Sequence, residues 1–324
     1  MKAVRIHAFG GPEVLQIEDV ARPVPAPDEI LVQVYASGVN PVDWVVREGG
    51  NDVLRPFLQL PMTLGWDAAG VVAAIGSEVI AFQPGDAVYG FPAFPGDGSY
   101  AEYCVGKASY FAHKPKSIGF NHAAGVPLAG LTAWTGLFAH GRLRAGQRVL
   151  IQGASGGVGS FAVQFAKAKG AYVIGTASAG NLDYVKQLGA DEALDYRSQR
   201  WEELVHDVDV VLEASPLRDN AERLKAVAVL KEGGVFVTVN IDFPFDDAVL
   251  AALADKQATG ELAANQARPD WLTEMAQLID DGQVKVLVSR VYPLEQVADA
   301  HRESATWHVR GKLVLEIKKE GTPA

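Results

Sequence analysis

A chain of 324 residues, 48% hydrophobic and 21% charged, has the make-up of an ordinary globular protein long enough for two cores. Its net charge of −10, with no basic stripe to offset it, speaks against nucleic acid as a partner. No apolar run is long enough to cross a bilayer and Met1–Val20 lacks an apolar signal core, so the expectation is a cytoplasmic protein with no membrane partner.

Up to about Ser117 the chain reads as short strands separated by turn signals. Lys2–His7, Glu29–Ala36, Ala69–Ile75, Ala87–Tyr89 and Tyr100–Val105 have strand character. Between them, Ala21–Asp28 carries three prolines and Gln83-Pro84-Gly85-Asp86 turns into a strand. The pattern predicts an all-β domain folded as a barrel. Cys104, the only cysteine, lies in one of these strands, where it is expected to be a small buried filler. A single cysteine excludes both an internal disulfide and a cysteine-based zinc cluster.

From Asn121 on, strands and helices alternate. Val149, Leu150 and Ile151 form an apolar run suited to a strand buried on both faces. Ala154-Ser155-Gly156-Gly157-Val158-Gly159 comes next, followed by an amphipathic helix near Phe161–Lys169. Strand, glycine turn and helix in this order match the dinucleotide fingerprint, with alanine in its first glycine position. Gly156 is expected to admit the phosphates to the backbone, and Gly159 to let the helix pack close to the strand. The unpaired amides of the helix start would face the anion. Residues Ala154 to Gly159 are therefore expected to hold the pyrophosphate of NAD(H) or NADP(H).

The second strand, Ala171–Thr176, distinguishes the two cofactors. An NAD enzyme usually carries Asp or Glu about 20 residues past the glycines. Here Ala177-Ser178-Ala179-Gly180-Asn181 offers no carboxylate before Asp183, which opens the helix Leu182–Leu188. Ser178 and Asn181 are expected to donate to a 2′-phosphate, with Tyr196 or Arg197 closing over it from beyond the third strand. The plainer alternative for Ser178 and Asn181 is a turn or helix cap. NADPH is the favoured cofactor.

Further strands are predicted at Glu192–Leu194, Val208–Leu212 and Gly234–Val239, with a helix at Asn220–Val229. Asn240, just past the fifth strand, falls at the carboxyl end of the sheet, where ligands bind, and is expected to meet the carboxamide of the cofactor. After a helix near Trp271–Asp280 come two more strands, Val284–Val291 and Lys312–Ile317, joined by the amphipathic segment Leu294–Glu303. They are surplus to a six-stranded nucleotide fold, so the tail is assigned back to the β domain. The predicted division is 1–119 with 284–324, and 120–283 as the dinucleotide-binding domain.

Several motifs carry a family resemblance across nearly the whole chain. They are Gly38-Val39-Asn40-Pro41-Val42-Asp43-Trp44, Leu64-Gly65-Trp66-Asp67-Ala68-Ala69-Gly70-Val71-Val72, Gly85-Asp86-Ala87-Val88, Gly98-Ser99-Tyr100-Ala101-Glu102-Tyr103, Gly130-Leu131-Thr132-Ala133-Trp134 and His308-Val309-Arg310-Gly311-Lys312-Leu313-Val314. With the glycine turn, this set resembles the zinc-independent quinone oxidoreductases, of zeta-crystallin type, in the medium-chain dehydrogenase/reductase superfamily. The resemblance implies an α/β fold: a Rossmann doubly wound parallel sheet plus a GroES-like β-barrel domain.

It also implies the chemistry. Zinc-dependent cousins hold catalytic zinc through two cysteines and a histidine. Asn40 stands at the first cysteine position, Trp66 at the histidine and Ala129 near the second cysteine, and none of the three can ligate zinc. Loss of a Lewis acid weakens alcohol–ketone chemistry but leaves conjugated acceptors reducible, because their charge delocalises into an enolate or hydroquinone oxygen. The implied activity is NADPH-dependent hydride transfer to quinones or α,β-unsaturated carbonyls. The alternatives are an enoyl thioester reductase, against which the lack of a tyrosine between Asn40 and Gly65 counts, and a non-catalytic NADPH-binding protein.

Within the family frame the nicotinamide lies in a cleft where Asn40 can donate to a carbonyl oxygen, unless it serves only as a turn residue before Pro41. Asp43 is expected to order Asn40 or a nearby loop, and Thr132 to lie near the nicotinamide. Arg310 and Lys312 belong to a returning loop whose cations either reach the cofactor phosphates or stay solvated. Trp44, Trp66, Phe91 and Phe94 are candidate walls for a planar substrate, with core packing the plainer role for Trp66. The substrate loops are expected at Asn51–Leu60 and Phe91–Gly98. The family implies a homodimer through an edge strand, although Ala258–Gln266 has few large apolar residues.

Overall fold

The apolar runs of the middle of the chain become a six-stranded, all-parallel sheet. In spatial order the strands are Glu192–Asp195, Tyr172–Ala177, Arg148–Gln152, Val208–Glu213, Leu230–Thr238 and Thr259–Leu262. This is the doubly wound order 3-2-1-4-5-6, whose switch point falls at the carboxyl ends of the first and fourth strands. Val149, Leu150, Ile151, Val210, Val211 and Leu212 are buried, as strands covered on both faces require. The protein is described here from a computed structural model, covering residues 1–92 and 94–321. Ala93, inside the expected loop Phe91–Gly98, and the last three residues lie outside that description.

The chain forms two compact units. The parallel sheet belongs to the one built from Thr132–Gln266 and Gln283–Lys285; the other comprises Met1–Leu131, Ala267–Gly282 and the chain from Val286 on. In the second unit the long strand Glu29–Val39 is the spine. One edge pairs with Ala68–Ile75. The other serves two partners in succession, Tyr103–Lys107 at its start and Lys312–Glu316 at its end. Val288–Pro293, Ala87–Gly90 and Phe111–His113 extend this sheet, and a smaller one joins Gln16–Asp19, Lys2–Ile6 and Met62–Thr63. This β unit, with the Rossmann sheet of the other, is the α/β architecture the sequence implies.

Cys104 is buried among the apolar residues of the sheet, which pushes its thiol up to about 12. The C-terminal segment does rejoin the β unit, with a helix at Val297–Ser304 between its two strands.

Contacts draw the boundary differently from the division expected at 119/120 and 283/284. The helix Pro269–Asp280 groups with the β unit. There, the Tyr89 hydroxyl donates to the Leu272 carbonyl at 2.5 Å, and the Asp280 carboxylate accepts from the Ser117 N–H and hydroxyl at 2.8 and 2.7 Å. The expected strand at Val284–Val291 begins only at Val288, because Lys285 is bracketed by the Gln164 side chain. The amide of Gln164 accepts from the Lys285 N–H at 2.7 Å and donates to its carbonyl at 3.0 Å. Several elements are not predicted from the sequence, among them the short strands Gln16–Asp19 and Met62–Thr63 and the helices Pro41–Arg47, Pro127–Trp134 and Asp247–Asp255.

Candidate active site

The glycine turn leads from the strand Arg148–Gln152 into the helix Gly157–Ala168. Its left-handed residue is Gly153 (φ +75°), one place before the expected first glycine position. The tight turn thus rests on Gly153. Ala154 is buried, and Gly175 on the next strand lacks the Cβ that would lie 2.9 Å from the Ala154 methyl. A Cβ on Gly159 would fall 2.2 Å from the Gly153 carbonyl oxygen and 2.7 Å from Ala154 Cα, so the helix approaches the turn as closely as only glycine allows. A Cβ on Gly156 would meet only the Gly153 carbonyl oxygen, at 3.5 Å, so the space above the turn is open. Among the described residues no side chain caps the helix, which leaves the first-turn amides for an anion. Ser155, Gly156, Gly157 and Val158 are partly exposed around that opening. These features fit the pyrophosphate of a dinucleotide.

The register of the next two strands brings the other expected groups together. Ala177 pairs with Asp195, so Ser178 and Tyr196 follow side by side, and the Tyr196 N–H donates to the Ala177 carbonyl at 3.3 Å. Asn181 Nδ2 donates to Ser178 Oγ at 3.1 Å. The Arg197 guanidinium lies 5.4 Å from the Tyr196 ring centre and donates from Nε to the phenol oxygen at 3.0 Å. Asp195, paired with Ala177 at the strand ends, has its carboxylate occupied by the Arg197 N–H at 3.1 Å and the Ser198 hydroxyl at 2.5 Å. A serine, an amide, a phenol and a guanidinium therefore share the carboxyl end of adjacent strands.

On the far side of the switch point Asn240 is 8% exposed and heavily bonded. Its Nδ2 donates to Glu213 Oε2 at 3.2 Å and to the Ser215 carbonyl at 2.9 Å, while its N–H donates to Thr238 Oγ1 at 3.0 Å. Glu213 in turn pairs with the fully buried Arg223 at 2.8 Å. Neither member of this pair is singled out by sequence reasoning. The signals were an acidic residue closing the apolar run Val208–Leu212 and an arginine three places before the buried Ala226.

In the β unit, Asn40 ends the spine strand and caps the helix Pro41–Arg47. It is 2% exposed. Its Nδ2 donates to Asp67 Oδ2 at 2.7 Å and its Oδ1 accepts from the Lys312 ammonium. Lys312, 4% exposed, also donates to the Val39 carbonyl at 3.3 Å and lies 3.5 Å from Asp67 Oδ2. Its expected place at the cofactor phosphates is therefore corrected: the ammonium is spent on three oxygens inside the β unit. Asp67 completes its set by accepting from the Leu128 N–H at 2.6 Å. Burial raises the Asp67 carboxyl, against the pull of the Lys312 ammonium and the Asn40 amide.

Asp43 stands behind this network. Its Oδ2 accepts from the Asn40 N–H at 2.7 Å and the Tyr100 hydroxyl at 2.8 Å, while Oδ1 has no partner among the described residues. Complete burial raises its carboxyl to about 7, against the lowering effect of those two bonds. One turn on, Arg47 is buried against His301, at 3.1 Å from Nδ1, with its Nε on the Gly10 carbonyl. Desolvation, with the guanidinium adding to it, holds His301 down at about 3. Asp67 and Tyr100 lie within quoted motifs, yet nothing in their spacing marked them as partners of Asn40 and Asp43.

The aromatic candidates divide. Trp66 is fully buried, edge-on to Phe94 at 4.8 Å, with its Nε1 on the Gly96 carbonyl, so it packs the core. Phe91 and Phe94 are partly exposed beside that core. Trp44 is half-buried, edge-on to Trp307 at 5.2 Å, and donates to Ser304 Oγ at 3.2 Å. Thr132 is buried on the helix Pro127–Trp134 and counts with the Rossmann unit. Arg310 is exposed.

Comparison with known proteins agrees with this fold. Residues 26–116 match the alcohol dehydrogenase GroES-like domain, and residues 188–315 match a family described as zinc-binding dehydrogenase. The chain is 33% identical to the quinone oxidoreductase of Mus musculus over 317 residues, covering 94% of this chain and 93% of the relative. It is 31% identical to the chloroplast envelope quinone oxidoreductase homolog of Arabidopsis thaliana, covering 98% of both. The crystal structure of Escherichia coli quinone oxidoreductase complexed with NADPH superposes with a TM-score of 0.86 at 31% identity, over 98% of this chain and 100% of that one. Two-unit fold, glycine turn and near-full-length similarity converge: the chain belongs to the medium-chain dehydrogenase/reductase superfamily, among the relatives of the quinone oxidoreductases.

Proposed function

We propose that the protein is an NADPH-dependent reductase of quinones or α,β-unsaturated carbonyls that works without zinc. The observation that carries this reading is the occupancy of the Asn40 site. Where zinc-dependent relatives place a thiolate, this chain has an amide clamped by Lys312 and Asp67, and Trp66 is built into the core. A buried ammonium already supplies positive charge there. Bound NADPH would supply the hydride, and a conjugated acceptor takes it at carbon while its oxygen gathers the negative charge.

The chain's residues bind and orient. The amides of Ser155 to Gly159 receive the pyrophosphate, and Ser178, Asn181, Tyr196 and Arg197 receive the 2′-phosphate, which a carboxylate in their place would repel. Asn240 meets the carboxamide, Thr132 lines the ring, and Arg310 is assigned to the phosphates. Asn40 keeps one Nδ2 hydrogen beyond its bond to Asp67, and that hydrogen is assigned to the acceptor oxygen. Asp43 holds the backbone of Asn40 and is a positioning residue. Trp44, Phe91 and Phe94 are assigned as walls for the planar acceptor. The proton comes from water.

The strand Thr259–Leu262 ends the parallel sheet, and pairing of two such edges is the proposed route to a homodimer. No helix among the described residues is long and apolar enough to cross a membrane, and a cytoplasmic site of action is part of the same proposal.

Stopped-flow oxidation of NADPH and NADH against benzoquinone, phenanthrenequinone, acrolein and crotonyl-coenzyme A tests the activity. Expected are turnover of a quinone or the enal, preference for NADPH, and rates indifferent to chelator. Chelator-sensitive rates, or turnover of the thioester alone, would overturn the reading. Arg197→Glu should raise the KM for NADPH about tenfold or more through loss of a charge-assisted contact, with NADH unchanged; an equal change for both cofactors would remove Arg197 from the 2′-phosphate site. Light scattering should give the mass of two chains at micromolar concentration, and a monomer there would end the dimer proposal.

Asp43 sets a pH signature. Its native carboxyl is raised from 3.8 to about 7, so the folded state holds a proton that the unfolded chain releases across that window. Stability then falls as pH rises through it. Denaturant unfolding from roughly pH 4 to pH 8 should show that decline in the wild type and a shallower one in Asp43→Asn. Equal slopes would place the native titration of Asp43 near its ordinary value.

A further inference from the structure

Glu213 and Arg223 are the most deeply buried ion pair of the Rossmann unit that the proposed chemistry leaves unused. Arg223 is fully buried and Glu213 is 4% exposed. The guanidinium donates from Nε to both carboxylate oxygens at 3.1 and 3.2 Å, and from Nη2 to Oε2 at 2.8 Å. Its face lies 4.4 Å from the Phe243 ring centre and 4.9 Å from that of Phe245, and Nη1 donates to the Pro244 carbonyl at 3.1 Å. The pair therefore holds the segment that follows Asn240. Buried pairs of this kind add little net stability compared with apolar packing. What this one does is visible in its remaining contacts.

Oε2 of Glu213 also accepts from the Thr238 hydroxyl at 2.5 Å and from Asn240 Nδ2 at 3.2 Å. The same hydroxyl accepts from the Asn240 N–H at 3.0 Å. Both the backbone and the side chain of Asn240 are thus referred to one carboxylate. The second Nδ2 hydrogen goes to the Ser215 carbonyl at 2.9 Å. A carboxylate and a carbonyl can only accept, so the amide nitrogen must face them and the amide cannot flip. Oδ1 is left with no hydrogen bond from the described residues, on a side chain at the carboxyl end of the sheet.

We propose that Glu213 and Arg223 are positioning residues that lock the Asn240 amide with Oδ1 presented as an acceptor for the N–H donors of the nicotinamide carboxamide. The assignment rests on the proposed use of a nicotinamide cofactor. The carboxamide NH2 can donate and a methyl ketone in its place cannot, so the locked oxygen discriminates between them. A glutamine at 213 has its own NH2 and can donate to the Asn240 oxygen, so only the Ser215 carbonyl still favours the original orientation and the turned amide, nitrogen outward, competes with it.

Equilibrium titration of the full-length protein, followed by tryptophan fluorescence, tests this with three ligands: NADP+, its 3-acetylpyridine analogue, and 2′,5′-ADP, which lacks the nicotinamide half. The wild type should bind NADP+ about tenfold more tightly than the analogue, the worth of one hydrogen bond. Glu213→Gln should bring that ratio to about twofold or less, with the affinity for 2′,5′-ADP unchanged. Removing Arg223 alone strands a buried carboxylate and threatens the fold, so the second variant is Glu213→Leu with Arg223→Met, which replaces both charges by apolar volume. It should lose discrimination in the same way and keep 2′,5′-ADP binding. A purely structural pair would leave the ratio at its wild-type value in both variants that still bind 2′,5′-ADP, and that result overturns the assignment. A wild type indifferent to the methyl ketone also overturns it while leaving the proposed function standing. A wild type that binds none of the ligands overturns the proposed function, and this assignment falls with it.

Discussion

A buried ammonium must find oxygens, and in the β unit the search of Lys312 for them ties the local architecture together. The side chain belongs to the strand that returns from the C-terminal segment, while its acceptors lie on the end of the spine strand, on the helix cap and on Asp67. Asp67 passes the constraint on to the Leu128 N–H, and its own carbonyl accepts from the hydroxyls of Ser37 and Ser99, each at 2.7 Å. Remove the charge and Asp67 becomes an unpaired buried carboxylate, the kind of change that costs about 3–5 kcal/mol. Asn40 is held at both ends of its amide by these two charges. Asp43, one helical turn away, then fixes its backbone.

The Rossmann unit repeats the device with other residues. An asparagine stands at the end of a strand, its nitrogen is aimed at a carboxylate, and a buried cation holds the carboxylate in turn. The two asparagines differ in what remains free. Asn40 has its oxygen taken by Lys312 and keeps a hydrogen; Asn240 has both hydrogens taken and keeps an oxygen. An amide is nearly symmetric in shape, so its donor and acceptor ends are told apart only by such partners. The cost of burying the charges is the means by which each amide is oriented.

Much of this was legible in the sequence, and the limits have physical causes. Strong periodicity made the parallel sheet and its glycine turn readable, because strands buried on both faces are continuous apolar runs. Gly153 was passed over because a left-handed turn residue need not occupy the consensus place, and its φ is a property of the backbone alone. Lys312 was misplaced because a lysine in a loop motif looks solvated until the strand pairing Leu313 with Val39 carries it inward. Asp67 and Asn40 are 27 positions apart, Glu213 and Asn240 likewise, and sequence spacing carries no information about such meetings. The helix Pro269–Asp280 shows the same limit: its periodicity announces a buried face but not which unit supplies the other surface.

The small clip at Lys285 has a consequence for how the chain can be cut. The Rossmann unit is a long segment, Thr132–Gln266, joined by three residues that follow the Pro269–Asp280 helix in the chain, a helix that groups with the β unit. The last of them, Lys285, supplies the N–H and carbonyl that complete the Gln164 amide in the middle of the helix behind the glycine turn. A fragment ending at Gln266 would carry every strand of the sheet and yet leave the Gln164 amide with only the Ser160 carbonyl as a protein partner. The Rossmann unit is therefore not one continuous stretch of chain, since two polar bonds of its glycine-turn helix are delivered from beyond a helix that groups with the β unit.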